Sequence, residues 1–147
     1  MLFRSDGLPA KLKKEFTCKC IIFSEQRLDM DTIGKTADLA ICNAGHSASC
    51  ELLLSGIPLL LLPLNLEQHM VARNIQNLGA GLSAPKLMPE GMTMKLKTVL
   101  KDDKYREAAR TFAKKYAGED PMSLVNHISD TVDELIGKKT RKSRKTG

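Results

Sequence analysis

Two short polar stretches carry side chains that could do chemistry on a ligand: Asn43-Ala44-Gly45-His46-Ser47-Ala48-Ser49, and Glu67-Gln68. In the first, small residues let the backbone approach a bound group closely, and Gly45 can take a positive φ without steric cost. Ser47 or Ser49 can cap a following helix, whose first N–H groups would make an anion site suited to a phosphate. Glu51 lies four residues beyond Ser47, so the two would share a helix face. A carboxylate there repels phosphate but accepts hydrogen bonds from a ribose diol, as acids in dinucleotide-binding folds do. A capped helix start with an ordinary tight turn fits the same residues. In the second stretch, a carboxylate beside an amide offers acceptors and donors to a polyhydroxylated ligand such as a sugar. A helix N-terminus with an acid on its dipole is the other reading. No residue is assigned a catalytic role: His69 and His127 are expected to be surface or helix-packing side chains.

Positioning these stretches requires strands and helices in alternation. Lys19–Ser24 reads as a strand and Met30–Thr36 as a weak helix. Ala37–Ala44 is an apolar run that stops at Gly45, and His46–Leu54 reads as a helix closed by Ser55-Gly56. Ile57–Leu64 is apolar throughout, as a strand covered on both faces should be. Leu66–Leu78 carries Val71, Ile75 and Leu78 at helical spacing before Gly79, and Gly81–Ala84 is a short strand ahead of Pro85. Two helices, over Thr93–Tyr116 and Met122–Ile136, finish the body. This order predicts an α/β fold, a Rossmann-like parallel sheet with crossover helices. In such a sheet ligands bind outside the carboxyl ends of the strands, where both polar stretches fall.

Composition narrows the class. The 147 residues hold 23 Lys+Arg against 17 Asp+Glu, a formal net charge of +6. Residues 138–147, KKTRKSRKTG, contribute six of those bases and no acid, so residues 1–137 are formally neutral. The domain is therefore expected over 1–137 and a solvated, disordered basic tail over 138–147. A basic tail can bind nucleic acid or anionic lipid, but Trp is absent and aromatics are scarce. A nucleic-acid partner is not expected, and a membrane contact would rest on the tail alone. The apolar run Ile57–Leu64 is far short of the roughly 20 residues that span a bilayer. The first residues carry no apolar h-region, and Cys18, Cys20, Cys42 and Cys50 lack paired zinc spacing. Reduced thiols and a cytoplasmic location are the expectation.

The stretch Ala37–Pro85 resembles the donor-binding half of nucleotide-sugar glycosyltransferases of the GT-B fold. It is most similar to the bacterial antibiotic-glycosylating UDP/dTDP-sugar transferases, which are related to UDP-glucosyl and glucuronosyl transferases. The family's usual pattern is a strand, then His-x-Gly with a small-residue loop, an acid on the next helix, Gly-x-Pro opening an apolar strand, then Asp-Gln. Here it reads Asn43-Ala44-Gly45, Glu51, Gly56-Ile57-Pro58 and Glu67-Gln68. The resemblance implies that Gly45 and the amides of His46–Ser49 hold a pyrophosphate, that Glu51 binds ribose, and that Glu67 and Gln68 contact the sugar. Asn43 stands where the family has a phosphate-contacting His, Ala48 where it has a hydroxyl, and His46 could supply a compensating contact. The implied donor substrate is a nucleoside-diphosphate sugar, with no cofactor and no metal.

The resemblance covers the last third of such an enzyme. It leaves out the acceptor-binding domain with its acceptor-activating His-Asp pair, and the first strand or strands of the donor domain. A separate acceptor-domain subunit, or self-association through an incomplete sheet, is therefore expected. A fragment, a non-catalytic nucleotide or phosphosugar-binding module, and a hydrolase or epimerase on the same scaffold remain alternatives.

Overall fold

A computed structural model describes residues 1–5, 7–84, 89–118 and 120–143. The chain forms two compact units, Met1–Lys114 and Lys115–Gly147.

Unit 1 alternates strand and helix. Its elements are β1 (Leu2–Arg4), α1 (Ala10–Phe16), β2 (Ile22–Ser24), α2 (Met30–Thr36), β3 (Ala40–Cys42), α3 (His46–Leu54), β4 (Leu59–Leu61), α4 (Leu66–Leu78), β5 (Gly81–Ser83), α5 (Pro89–Lys101) and most of α6 (Lys104–Tyr116). All strand pairs are parallel, as the alternation requires, in a two-stranded β1-β2 sheet and a three-stranded sheet ordered β3-β4-β5. The expected parallel α/β architecture is present, with its pairing divided between these two sheets.

The core lies around the middle strand. Leu59, Leu60 and Leu61 are fully buried, so both faces of β4 are covered, and each such leucine is worth about 1.5–3 kcal/mol of apolar burial. Leu52, Leu53, Ile57, Ala72, Ile75 and Ala109 close around Leu59 and Leu61. Asp38, just before β3, is held by Arg106 of α6, with Nη1 3.2 Å from Oδ1.

Both helices beside the candidate loops stop at a left-handed glycine. Gly56 (φ 74) follows α3 and Gly79 (φ 78) follows α4. In each case the next amide reaches back into the last turn, Ile57 N–H to Leu52 O at 3.1 Å and Ala80 N–H to Ile75 O at 3.2 Å. Helix ends closed this way leave few orphan carbonyls.

The amino-terminal strand β1 and helix α1 were not anticipated, and β1 precedes the first strand expected. Neither has a strong local signature: three residues are too few for an alternation, and α1 buries no side chain. The single helix expected over Thr93–Tyr116 is two helices. Asp102 and Asp103 separate them, and the Asp102 carboxylate accepts from Lys104 N–H at 3.2 Å. Three helices rather than two therefore follow β5. Unit 2 contains α7 (Pro121–Ser143), which runs six residues into the stretch expected to be disordered. Pro85 and residues 144–147 lie outside the described residues.

Candidate functional site

The two polar loops meet at one end of the three-stranded sheet. In the β3–β4 register Cys42 pairs with Leu61, so both strands deliver their next residues to the same carboxyl edge. Leu62 N–H donates to Cys42 O at 2.8 Å and ties the loop roots together.

After β3, the exposed Asn43 turns its side chain back, and Oδ1 accepts from Gly45 N–H at 3.3 Å. The positive φ of this turn belongs to Ala44 (φ 61), not to Gly45. Gly45 has φ −63 and ψ 135, the extended geometry of the residue that opens α3. Gly45 does not use the freedom it has, because the chain reverses one residue earlier and leaves Gly45 as N-cap. Ala44 is fully buried, so packing holds a conformation that costs an L-residue about 1–2 kcal/mol.

No side chain caps α3, which overturns the capping role expected of Ser47 or Ser49. Ser49 N–H is already bonded to Gly45 O at 3.0 Å. Its hydroxyl is buried against Cys42, with Oγ 3.8 Å from Sγ. Ser49 therefore contributes neither an amide nor a hydroxyl to an anion at the helix end. The helix-starting amides of His46, Ser47 and Ala48 precede the first intrahelical bond and remain available. His46, Ser47 and Glu51 are exposed, and Ser47 and Glu51 stand one turn apart on one face. His46 directs Nε2 along the helix toward Cys50 Sγ, 3.8 Å away, rather than toward the amide end.

After β4, Asn65 caps α4 by accepting from Gln68 N–H at 2.9 Å, and Gln68 Oε1 accepts from Leu64 N–H at 2.8 Å. This reciprocal arrangement is close to a capping box. It occupies the amide oxygen of Gln68 and leaves its NH₂ as the group for a ligand. Glu67 is exposed in the first turn of α4, placed to accept from hydroxyls. Two roles were not anticipated: Asn65 as the cap of α4 and Ala44 as the bearer of the positive φ. The Asn-x-x-Gln spacing signalled the first, and nothing local signalled the second.

Leu64, Leu66 and Met70 are all exposed beside Glu67, so the loop mouth is apolar on one flank. Two open surface depressions are lined by α5 and by Asp102 and Asp103 just after it, with Met94 and Lys97 in both, and by neither loop. The polar chemistry stays at the sheet edge, where an exposed helix start needs no enclosed cavity to present its N–H groups.

Comparison with known proteins identifies a family and a fold. The family model described as "Glycosyltransferase family 28 C-terminal domain" matches residues 9–124. A PGL/p-HBAD biosynthesis glycosyltransferase of Mycobacterium tuberculosis (strain ATCC 25177 / H37Ra) is 31% identical over 96 residues, 64% of this chain and 22% of the relative. A sterol 3-beta-glucosyltransferase of Vanderwaltozyma polyspora is 26% identical over 126 residues, 83% of this chain and 10% of the relative. The chain thus spans 22% or less of the length of these relatives. Among solved structures, the spinosyn rhamnosyltransferase SpnG complexed with spinosyn aglycone has a TM-score of 0.74 at 25% identity, covering 87% of this chain and 36% of that one. The same protein complexed with thymidine diphosphate gives 0.60 at 28%, covering 66% and 28%.

Proposed function

The chain belongs to the glycosyltransferase family 28 C-terminal domain family, and from that premise we propose that residues 1–114 bind a nucleoside-diphosphate sugar as donor for glycosyl transfer. The observation that carries this reading is the pairing of β3 with β4, which sets the open amide end of α3 beside Glu67 and Gln68. The amides of His46, Ser47 and Ala48 would hold the diphosphate, with Asn43 and Gly45 shaping the turn that exposes them. Ser47 would add a hydroxyl, and Glu51 would accept from the ribose diol. Glu67 and the NH₂ of Gln68 would contact the transferred sugar.

The division of labour is physical. Neutral N–H donors at a helix start stabilise diphosphate charge without needing a counter-ion. The two carboxylates face hydroxyls, which can donate to them, and stay off the phosphate oxygens, which cannot. The protein complexed with thymidine diphosphate among the structural relatives supports the same ligand class here.

We place acceptor recognition and activation of the acceptor hydroxyl outside these residues. The family match is to a C-terminal domain, and the chain spans 22% of the mycobacterial relative. The exposed Leu64, Leu66 and Met70 favour a covered rather than a free loop mouth. A separate acceptor-domain subunit or a second copy would cover it. Among the described residues, no helix is long and apolar enough to cross a membrane.

An NMR titration of the full chain with UDP and with dTDP tests the donor reading. Saturable shifts are expected at the amides of His46, Ser47 and Ala48. Glu51→Ala should weaken binding about tenfold or more, the loss of a hydrogen bond to a charged group worth about 1.5–3 kcal/mol. Folded wild-type protein that gives no saturable shift with either nucleotide would remove the assignment.

A further inference from the structure

The carboxyl-terminal run of bases has no part in the donor reading, and the structure changes its context. Six bases and no acid lie in residues 138–147, and α7 continues through Ser143, so that run begins on a helix. Earlier in the same helix Met122, Val125, Ile128, Val132 and Leu135 recur three and four residues apart, which lines them along one side. All five are exposed. The carboxylates lie elsewhere: Asp130 and Glu134 fall on the far side of the turn and Asp133 at its border. We propose that α7 is a surface anchor for an anionic lipid bilayer, its apolar side in the headgroup boundary and its basic end among anionic headgroups.

The order of charge and apolar surface along α7 selects lipid over the other occupants of such a face. A second copy would pack seam against seam, but the positions that continue the seam beyond Leu135 are Lys139 and Lys142. The apolar stretch is therefore about two heptads, short of the roughly three to four that sustain a coiled coil, and extending it would bury cations. Nucleic acid would use the bases alone, leave the apolar side in water and meet three carboxylates within about two turns of the first base. A bilayer surface accepts both halves, because a helix lying in the interface sets apolar groups below the headgroups and bases beside them. From Pro121 to Lys145 six bases stand against three acids, the sign of charge that an anionic leaflet attracts. Among the described residues no helix is long and apolar enough to cross a membrane, so the contact runs along the surface. The anchor uses no residue of the donor site and stands or falls apart from nucleotide binding.

The test spins the full, reduced chain with sucrose-loaded vesicles of phosphatidylcholine, or of equal parts phosphatidylcholine and phosphatidylserine, against the chain spun alone. It should pellet with the mixed vesicles, bind phosphatidylcholine vesicles about tenfold more weakly or less, and be released by salt. Ile128→Ser with Val132→Ser removes apolar area from exposed positions and should weaken binding to the mixed vesicles about tenfold or more. Lys138→Gln with Lys139→Gln and Lys142→Gln should weaken it about a hundredfold. Absence of pelleting with the mixed vesicles, equal binding to phosphatidylcholine, or unchanged binding in either variant overturns the proposal. If the vesicles fail and the Ile128→Ser, Val132→Ser variant loses self-association in sedimentation velocity, the face belongs to a second copy. If they fail and the chain retards a DNA duplex, the bases belong to nucleic acid. Either result overturns the anchor.

Discussion

Ala44 shows how a single residue can set a binding loop without touching the ligand. Its φ of 61 turns the chain so that Gly45 opens α3 and three amides face outward. Replacing it by Gly relieves strain of about 1–2 kcal/mol. The same change gives up the burial of one methyl, about 0.8 kcal/mol, and frees the unfolded chain by about 0.4–1 kcal/mol. These terms offset, so Ala44→Gly should be nearly neutral in urea denaturation. Ala44→Val adds β-branching at a left-handed position and two methyls to a fully buried site, and should cost about 2–4 kcal/mol. Equal stability of the two variants would mean that the turn is not under constraint. The polar residues around it were legible in the sequence because type and spacing declare them: Asn43, Ser47, Glu51, Glu67 and Gln68 are all at or near the surface. The positive φ was not, since glycine is the expected bearer and only packing assigns it to the alanine beside it. Ser49 was misread for a related reason, because burial against Cys42 depends on the sheet beneath the helix.

At the level of elements, local chemistry fixed the boundaries it could reach. Helices α2, α3 and α4 fall where sequence spacing puts them, each stopped by a recognisable signal: Ala37 returning its N–H to Ile33 O, and the glycines Gly56 and Gly79. Strands β2, β3, β4 and β5 also fall within the runs expected of them, whereas the close approach of one strand to the next is set by distant partners, on which spacing is silent. Gly81 is such a case. A Cβ built there would lie 2.3 Å from Leu59 O, in the backbone of the central strand. That strand is buried on both faces and cannot move aside, so Gly81→Ala should cost at least about 2–3 kcal/mol. Gly91 is the control: a Cβ there meets nothing within 4 Å, and Gly91→Ala inside α5 should add about 0.5–1 kcal/mol. A thermal melt of both variants checks the contrast, and a Gly81→Ala protein as stable as Gly91→Ala would contradict the packing. The break between α5 and α6 carries a pH signature. Hydrogen bonding from the Lys104 side chain and then its backbone holds the Asp102 carboxyl below its ordinary value. Asp29, at the start of α2, is lowered first by its bond from Thr32. For a depressed carboxylate the stabilisation is full above the unfolded-state value and is lost as pH falls through the folded-state one. Asp102→Asn preserves the cap but cannot titrate. Its stability should therefore fall less steeply than wild type on acidification, as followed by urea midpoints from neutral pH downward.

For the whole molecule, the decisive feature is what the three-stranded sheet leaves open. Among the described residues β3 and β5 each pair only with β4, so the outer edges of both carry backbone groups without strand partners. Ile41 on β3 is 46% exposed, and Leu64, Leu66 and Met70 at the loop mouth are each more than 60% exposed. Unpaired edges and contiguous apolar surface both favour association, while residues 1–137 have no net charge to oppose it. The chain is therefore expected to self-associate unless an acceptor-side polypeptide covers the mouth. Sedimentation velocity over a hundredfold concentration range should show a mass rising above 16.2 kDa. Leu66→Ser with Met70→Ser should shift that transition to higher protein concentration, because both side chains lie in solvent and their loss costs no core packing. Nucleotide should be bound as well by the double variant as by wild type, since the amides of α3 are untouched. A wild-type chain that stays monomeric throughout, or a double variant that associates as readily, would show that the exposed leucines and methionine do not govern assembly. The burden would then fall on the strand edges, which a proline at Ile41 would separate from the rest by removing its backbone N–H.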